Sequence, residues 1–215
     1  MQEIIKNIEK LNKSNWKQLN FTWYLKKSTH DVIIKIIVKN LYKYDFHLTN
    51  DKQYFIININ FIQNNILNNE LNTTNFEKMY INLFSHFFKN TKDLWYRTRI
   101  KKDMFAKNQY NKKWQEYSKY TDINKDLNIA FNKFNKDNEH ILIRLYDLTF
   151  TLLSKIHPFS DNNFWTISLL LDLLLLKNNY LPIWLKQIFK ANNIFLPTKE
   201  DFLKIIEAKQ KKYSY

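Results

Sequence analysis

The chain of 215 residues contains no glycine and no cysteine, and only 3 prolines. An average domain carries about 7% glycine. Walker-type phosphate loops, dinucleotide-binding turns, nucleophile elbows and EF-hand loops all need glycine, so these sites are excluded. The lack of cysteine excludes a disulfide framework, a thiolate zinc site and a cysteine nucleophile, and it leaves the redox compartment unreadable.

Lysine and asparagine are over-represented instead. The sequence has 31 lysines but 3 arginines, together with 29 asparagines, and its net charge is +14. The basic side chains are scattered in short pairs, and arginine, which makes bidentate contacts to phosphate and guanine, is nearly missing. We interpret the charge first as the codon bias of an AT-rich genome and only second as a nucleic-acid or acidic-partner surface.

Apolar residues make up 45% of the chain and aromatic residues 17%, enough for a folded core. At this length we expect one domain of about 200 residues, or a core with a small lobe. Residues 1–10 are polar and of mixed charge, so no targeting segment is predicted. The longest apolar run, residues 167–176, is too short to span a bilayer and contains Asp172, so no membrane span is expected.

Hydrophobic periodicity predicts a mostly helical chain. Thr73 or Thr74 is expected to cap a helix, with Glu77 completing a capping box with Thr74. Residues 95–100 and 114–120 predict two strands of a hairpin, joined by a polar stretch over 101–113. The predicted helices cover residues 2–27, 29–44, 76–89, 126–134, 140–156, 163–178 and 198–212, whereas 54–60 is β-rich and 61–71 fits a helix equally well.

One segment between two apolar helices carries chemistry. Residues 156–166 read Ile-His-Pro-Phe-Ser-Asp-Asn-Asn-Phe-Trp-Thr. This stretch resembles the Fic family (Fido fold), whose motif is His-Pro-Phe-x-Asp/Glu-Gly-Asn-Gly-Arg. The matching positions are His157, Pro158, Phe159, Asp161 and Asn163.

The resemblance extends upstream of this motif. A helix carrying His86 resembles the family's Leu-His helix, and residues 96–98, Tyr-Arg-Thr, are similar to the start of its flap hairpin. Residues 63–71 resemble the segment of Fic proteins that carry a built-in inhibitory helix. The resemblance therefore implies an all-α, Fido-like helical domain with a short β-hairpin flap. The predicted division is an N-terminal helical extension over 1–59, a Fido-like domain with an inhibitory-helix-like segment at its start over 60–205, and a basic tail over 206–215.

Fic enzymes transfer a nucleotide monophosphate, usually AMP from ATP, to a hydroxyl of a target protein. The resemblance implies that His157 is the base that takes the hydroxyl proton, a role that suits imidazole with its pKa near 6.5. It implies further that Asp161 holds Mg²⁺ and that Asn162 and Asn163 contact the nucleotide. Backbone N–H groups at the start of helix 163–178 would form an anion site for phosphate.

The motif also departs from the family at several positions. Asn162 and Phe164 replace its glycines, and Trp165 and Ser168 replace its arginines. Asn tolerates a left-handed backbone, but Phe164 is expected to be strained there and to block the phosphate path. In the inhibitory segment the family's Ser and Glu align with Gln63 and Leu67, so residues that support and restrain catalysis are missing together.

Three hypotheses follow. The first is a divergent Fic-type transferase that uses His157. The second is an inactive Fido-fold pseudoenzyme whose flap, at about 95–120, docks a protein partner. The third is a basic helical protein that binds nucleic acid or an acidic partner, in which the match to the motif is accidental. As separate alternatives, His157 is a structural residue at a helix C-terminus, and Asp161 is the N-cap of the helix that starts near Asn163. A target protein is the expected partner, and a homodimer is a further option. The protein is expected to be cytoplasmic, or a secreted effector without a visible signal peptide.

Overall fold

The structure, a computed structural model, describes residues 1–23, 66, 69–84, 105–107, 114–160, 162–183, 185 and 197–211. Within these ranges the elements are helical apart from one two-stranded sheet, which confirms the predicted all-α fold with a hairpin. The elements are α1 (Gln2–Trp23), α2 (Thr73–Phe84), β1 (Phe105–Lys107), β2 (Trp114–Glu116), α3 (Ile123–Lys136), α4 (Ile141–Thr151), a π-helical turn (Leu152–Ile156), α5 (Asn163–Lys177) and α6 (Lys199–Lys211).

The first and last of these helices pack against each other. Ile5 and Ile8 of α1 are buried in the same core as Phe202 and Ile206 of α6. Helix α6 starts near Thr198, as predicted, with a capping box. Asp201 donates its backbone N–H to Thr198 Oγ1 (3.1 Å), and the Asp201 carboxylate accepts the backbone N–H of Thr198 (3.1 Å). The predicted domain boundaries stay a prediction.

Helix α2 starts with a different cap from the one that the sequence predicted. Asn72, not Thr73 or Thr74, caps it, because Asn72 Oδ1 accepts the backbone N–H of Asn75 at 2.8 Å. Asparagine is as good an N-cap as threonine or better, and the helix therefore begins before the predicted residue 76. The rest of the predicted helix, beyond Phe84, lies outside the described residues.

The hairpin pairs β1 with β2 in antiparallel register, with Ala106 opposite Gln115. The second strand falls within the predicted range, but β1 lies in the stretch that was predicted to be the connecting loop. The first strand was predicted at 95–100 from the alternation of apolar and polar residues there. Those residues lie outside the described part of the chain. A Phe-Ala-Lys triplet gives too short a pattern to be recognised as a strand.

The two core helices around the motif are α4 and α5. The predicted helix over 140–156 is α-helical from Ile141 to Thr151 and then becomes π-helical. His140 caps α4, since its Nδ1 accepts the backbone N–H of Leu142 at 3.3 Å, and its Nε2 lies 3.0 Å from Glu9 Oε1. This histidine therefore has a structural role.

Helix α5 is buried on every side, with each residue over 166–176 in the core. It ends at Lys177, and Asn179, two residues further on, is left-handed with a φ of 61°. The backbone N–H of Tyr180 reaches back to Leu175 O at 2.8 Å, the bond of a Schellman-type end in which asparagine replaces the usual glycine. Over the described ranges, none of the helices has the length and apolar character that crossing a membrane requires.

One acidic side chain lies inside this apolar helix. Asp172 is 2% exposed, and burial raises the pKa of its carboxyl well above the usual value, against smaller lowering effects of a backbone hydrogen bond from Ile183 and of the Lys209 charge. Among the described atoms, Asp172 Oδ1 has no hydrogen-bond partner. At a pH between the pKa values of Asp172 in the unfolded and folded states, the folded chain therefore keeps a proton on Asp172 that the unfolded chain releases.

Asp172→Asn is expected to flatten the dependence of stability on pH. The free energy of unfolding of the wild type should fall as pH rises from about 4, the pKa of an unfolded aspartate, through the raised folded-state pKa. Melting temperatures of both proteins from pH 4 to 8 test this. Asp201→Asn is the opposite-sign control, because hydrogen bonds from Thr198 lower the pKa of Asp201 and its contribution is lost as pH falls. Equal slopes for the wild type and Asp172→Asn would contradict the assignment.

Candidate active site

His157 lies at the end of the π-helical turn in a left-handed conformation, with φ 47° and ψ 61°. Its backbone N–H donates to Leu152 O at 2.8 Å, which is the bond that ends the turn. A left-handed backbone costs a residue other than glycine about 1–2 kcal/mol. π-Helical turns and such strained residues both concentrate at functional sites, so this conformation marks His157 for attention.

The imidazole of His157 is half-buried and held on two sides. Its Nδ1 lies 3.3 Å from Leu153 O. The ring of Tyr117 stacks on it with a centroid separation of 4.4 Å and an interplanar angle of 17°. Because a carbonyl oxygen only accepts hydrogen bonds, the Nδ1 contact requires a proton on Nδ1 and leaves the lone pair on Nε2 in the neutral ring.

The residues after His157 form a turn that Asn163 fixes. Asn163 is 3% exposed, and its side chain binds both backbone groups of Phe159. Asn163 Oδ1 accepts the N–H of Phe159 at 2.9 Å, and Asn163 Nδ2 donates to Phe159 O at 2.8 Å. The Phe159 ring is fully buried and stacks on Tyr80 at 3.7 Å, with Phe76 at 5.2 Å.

Asn162 joins this turn to α5. It is left-handed, with φ 58°, and makes no side-chain cap bond to the helix. Its carbonyl accepts the backbone N–H of Thr166 at 3.0 Å and the Thr166 hydroxyl at 2.9 Å. The expectation that asparagine tolerates a left-handed backbone here therefore agrees with the structure, whereas a contact of Asn162 to a nucleotide stays a prediction.

Comparison with known proteins begins with two negative findings: no protein-family model and no curated protein matches the sequence. Solved structures do match. Fic-1 from C. elegans superposes with a TM-score of 0.62 at 13% identity, covering 99% of this chain and 71% of that one. A Fic-domain-containing signalling protein from Bacteroides thetaiotaomicron gives 0.60 at 13% identity, covering 97% of this chain and 94% of that one. A Fic family protein from Desulfovibrio desulfuricans gives 0.57 at 12% identity, with coverages of 98% and 72%.

The chain has the Fic fold. In this fold the resemblance and the structure agree, because residues 157–160 and 162 lie between two central helices, α4 with its π-helical turn and α5. The likeness at 12–14% identity concerns the backbone arrangement. The chemistry of the Fic-type site in this chain must therefore be argued from its own side chains.

Phe164 corrects one expectation about this Fic-type site. It was expected to be strained in a left-handed conformation, but it lies in the first turn of α5 with a helical backbone. Its half-buried ring meets Trp165 edge to face at 5.8 Å, and both rings pack against the core. This position does not need a left-handed backbone. A glycine here, as in the Fic motif, would leave free the space that the Phe164 side chain fills.

Ser168 stands where the Fic pattern often has its second arginine. It is fully buried, and its hydroxyl donates to Phe164 O at 2.7 Å inside the helix. Together with Trp165, it leaves the described part of α5 without a guanidinium group. Any phosphate bound at the start of α5 would have to rely on backbone N–H groups or on cations from other elements.

The structure describes only some of the residues around the predicted Mg²⁺ site. Asp161, the predicted ligand, lies outside the described residues, as do His86, Gln63, Leu67 and the start of the flap. Among the described side chains there is no group of three or more carboxylates and histidines that could bind a metal. The described residues alone therefore form no metal site, and Mg²⁺ binding by Asp161 stays a prediction.

The segment that resembles an inhibitory helix is tied to the end of α5. Lys177 Nζ donates to Ile66 O at 3.3 Å and to Asn69 O at 2.6 Å. Burial lowers the pKa of Lys177, and the Glu70 charge works in the opposite direction. Ile66 and Leu71 are buried, so this short stretch is attached to the helical core by both polar and apolar contacts.

A cavity of about 710 Å³ opens beside the site, between α3 and α4. Tyr117, Lys155 and Ile156 line the end nearest His157. The Lys155 side chain is exposed. The sequence predicts no role for Tyr117, because its contact with His157 joins residues forty positions apart and no local pattern indicates it.

Proposed function

We propose that the chain is a divergent Fic-type transferase that attaches AMP or another phosphate-containing group to a hydroxyl of a protein, with His157 as the base. The observation that carries the proposal is the strained, left-handed His157, whose Nδ1 faces Leu153 O and whose ring lies against Tyr117. Strained backbone conformations concentrate at functional sites, so the inference runs from the outlier to function.

The proposed step moves one proton and exchanges one bond. His157 Nε2, which carries the lone pair in the neutral ring, accepts the proton of the target hydroxyl. The hydroxyl oxygen then bonds to the phosphorus of the donor, and the bond from phosphorus to the leaving group breaks. For ATP the leaving group is pyrophosphate and the transferred group is AMP.

The donor site needs positive charge or N–H groups to balance the phosphates. Backbone N–H groups at the start of α5, behind the left-handed Asn162, are the proposed anion site. Asn163 would support this anion site by fixing the preceding turn, since the oxygen and the nitrogen of its side-chain amide both bind the backbone of Phe159. Mg²⁺ held by Asp161 would supply further charge neutralisation. The missing arginines favour a donor or a binding mode different from that of ordinary Fic enzymes.

The target protein is proposed to dock at the flap, at about residues 95–120. In the described part of the flap, β1 and β2 form a two-stranded sheet, so each strand pairs on one side. A strand can add an extended peptide through its unpaired backbone groups. Ser118, just after β2, donates its backbone N–H to Lys155 O at 2.9 Å. This bond attaches the end of the hairpin to the π-helical turn, close to His157.

A second candidate function is a binding module without catalysis. The observation that favours it is the packing at the start of α5, where Phe164 and Trp165 contact the core and Ser168 is buried in place of an arginine. In that case the flap would still dock a protein partner, but no nucleotide would bind.

A screen of labelled donors tests the proposal. The full chain is incubated with a cell extract and Mg²⁺, and with each nucleoside triphosphate or nucleotide sugar in turn. We expect covalent label on a protein with at least one donor, lost in His157→Ala. His140→Ala is the matched control, because His140 caps α4 and contacts Glu9, and it should keep the label. No label with any donor, together with no nucleotide binding by calorimetry, would contradict the proposal and favour the binding module.

A further inference from the structure

We infer that Tyr117 is a positioning residue for His157, holding the imidazole so that Nδ1 keeps its proton and Nε2 keeps the lone pair. This inference rests on the proposed function of His157 for its biological meaning, although the geometry stands by itself. The resemblance to Fic proteins places this position in the flap but gives its side chain no role.

The hydrogen bond alone is a weak restraint on the ring. The distance from Nδ1 to Leu153 O is 3.3 Å, beyond the usual range of about 2.7–3.2 Å for N–H···O bonds. A neutral imidazole can carry its proton on either nitrogen, and its ring can rotate about the bond to Cβ. A bond of this length needs a second contact to keep the ring in the plane where Nδ1 faces the carbonyl.

The Tyr117 ring supplies that contact. It lies nearly parallel to the imidazole, with a centroid separation of 4.4 Å and an angle of 17° between the planes. Parallel rings resist a tilt of either one out of its plane, because tilting brings an edge into the neighbouring face. Stacking therefore opposes the motion that would break the Nδ1 contact.

Tyr117 can do this because it is itself fixed. Its side chain is 5% exposed, and it follows β2 directly. The next residue, Ser118, is bonded to Lys155 O at 2.9 Å, within the π-helical turn that leads to His157. Two contacts therefore join the end of the hairpin to the segment around His157: the stack of Tyr117 on His157 and the hydrogen bond from Ser118 to Lys155. The hairpin that is proposed to dock a target would also set the orientation of the base.

The test is the tautomer of His157, read from the ¹⁵N chemical shifts of its ring nitrogens in the nucleotide-free protein, with His157→Asn used to assign the signals. The wild type and Tyr117→Phe, which keeps a stacking ring, should both carry the proton on Nδ1. Tyr117→Leu should raise the share of the Nε2–H form about two- to tenfold, the range that an aromatic stack contributes.

Tyr146→Leu is the matched control, because Tyr146 packs against Phe150 and Phe202 away from the site, and it should leave the tautomer unchanged. If Tyr117→Leu does not fold, Tyr117→Met replaces it. An Nε2–H form in the wild type, or equal tautomer ratios in the wild type and the folded Tyr117 variant, would overturn the inference. The tautomer is measured without catalysis, so a protein that transfers nothing but keeps the predicted tautomer would disprove only the proposed function.

Discussion

Phe159→Ala is expected to lower the free energy of unfolding by about 3–5 kcal/mol, the range for truncating a fully buried phenylalanine. The Phe159 ring is 0% exposed. It stacks on Tyr80 at 3.7 Å with an angle of 5°, and Phe76 lies 5.2 Å away. Truncation would leave a cavity between α2 and the motif turn, and packed neighbours fill such a cavity only in part.

Urea unfolding of the wild type and Phe159→Ala, followed by circular dichroism, measures this loss. Phe164→Ala is the matched control, since it removes the same side chain from a half-buried position five residues along. We expect it to cost less than half as much. Similar losses for the two variants would show that the motif turn is not fixed to the core through Phe159.

Asn163→Leu is the second change with a large expected effect, a loss of about 2–6 kcal/mol in the free energy of unfolding. Leucine is close to asparagine in size, but it cannot make the two hydrogen bonds that the Asn163 side chain makes to the backbone of Phe159. Each unsatisfied buried group costs about 1–3 kcal/mol. Both bonds are well formed, at 2.9 Å and 2.8 Å, and Asn163 is 3% exposed.

Asn162→Gly is the control for this second variant. Glycine relieves the cost of the left-handed backbone at φ 58°, but it loses more chain entropy on folding. We therefore expect a net change below about 1 kcal/mol in Asn162→Gly. The comparison is made by thermal and urea unfolding of the purified chains. A loss in Asn163→Leu no larger than that in Asn162→Gly would contradict the role given to the Asn163 side chain.

Much of the helical fold could be predicted from the sequence, because its signals are local. Over 123–136 and 141–151 apolar residues recur at helical spacing, and the apolar run ending near Leu176 indicates a buried helix. Thr198 with Asp201 is a recognisable helix start. Where the local signal was shared by neighbouring polar residues, as with Asn72, Thr73 and Thr74, the prediction chose the wrong cap.

The site was harder to predict because its geometry depends on contacts between distant segments. The motif located His157 and Asn163, but no periodicity predicts a π-helical turn before His157. The stack with Tyr117 joins two elements separated by the whole of α3 and α4. Phe164 was misjudged because a glycine in a family motif was read as a sign of a left-handed backbone, whereas this position is an ordinary helical one.

The most direct measurement of the central claim is the initial rate of label transfer by the wild type and by His157→Ala, with the donor that the screen identifies. A positioned general base typically contributes about 10²–10⁴-fold to a rate. The account predicts a drop of that size in His157→Ala and no comparable drop in His140→Ala, at matched fractions of folded protein. Equal rates in the wild type and His157→Ala would contradict it.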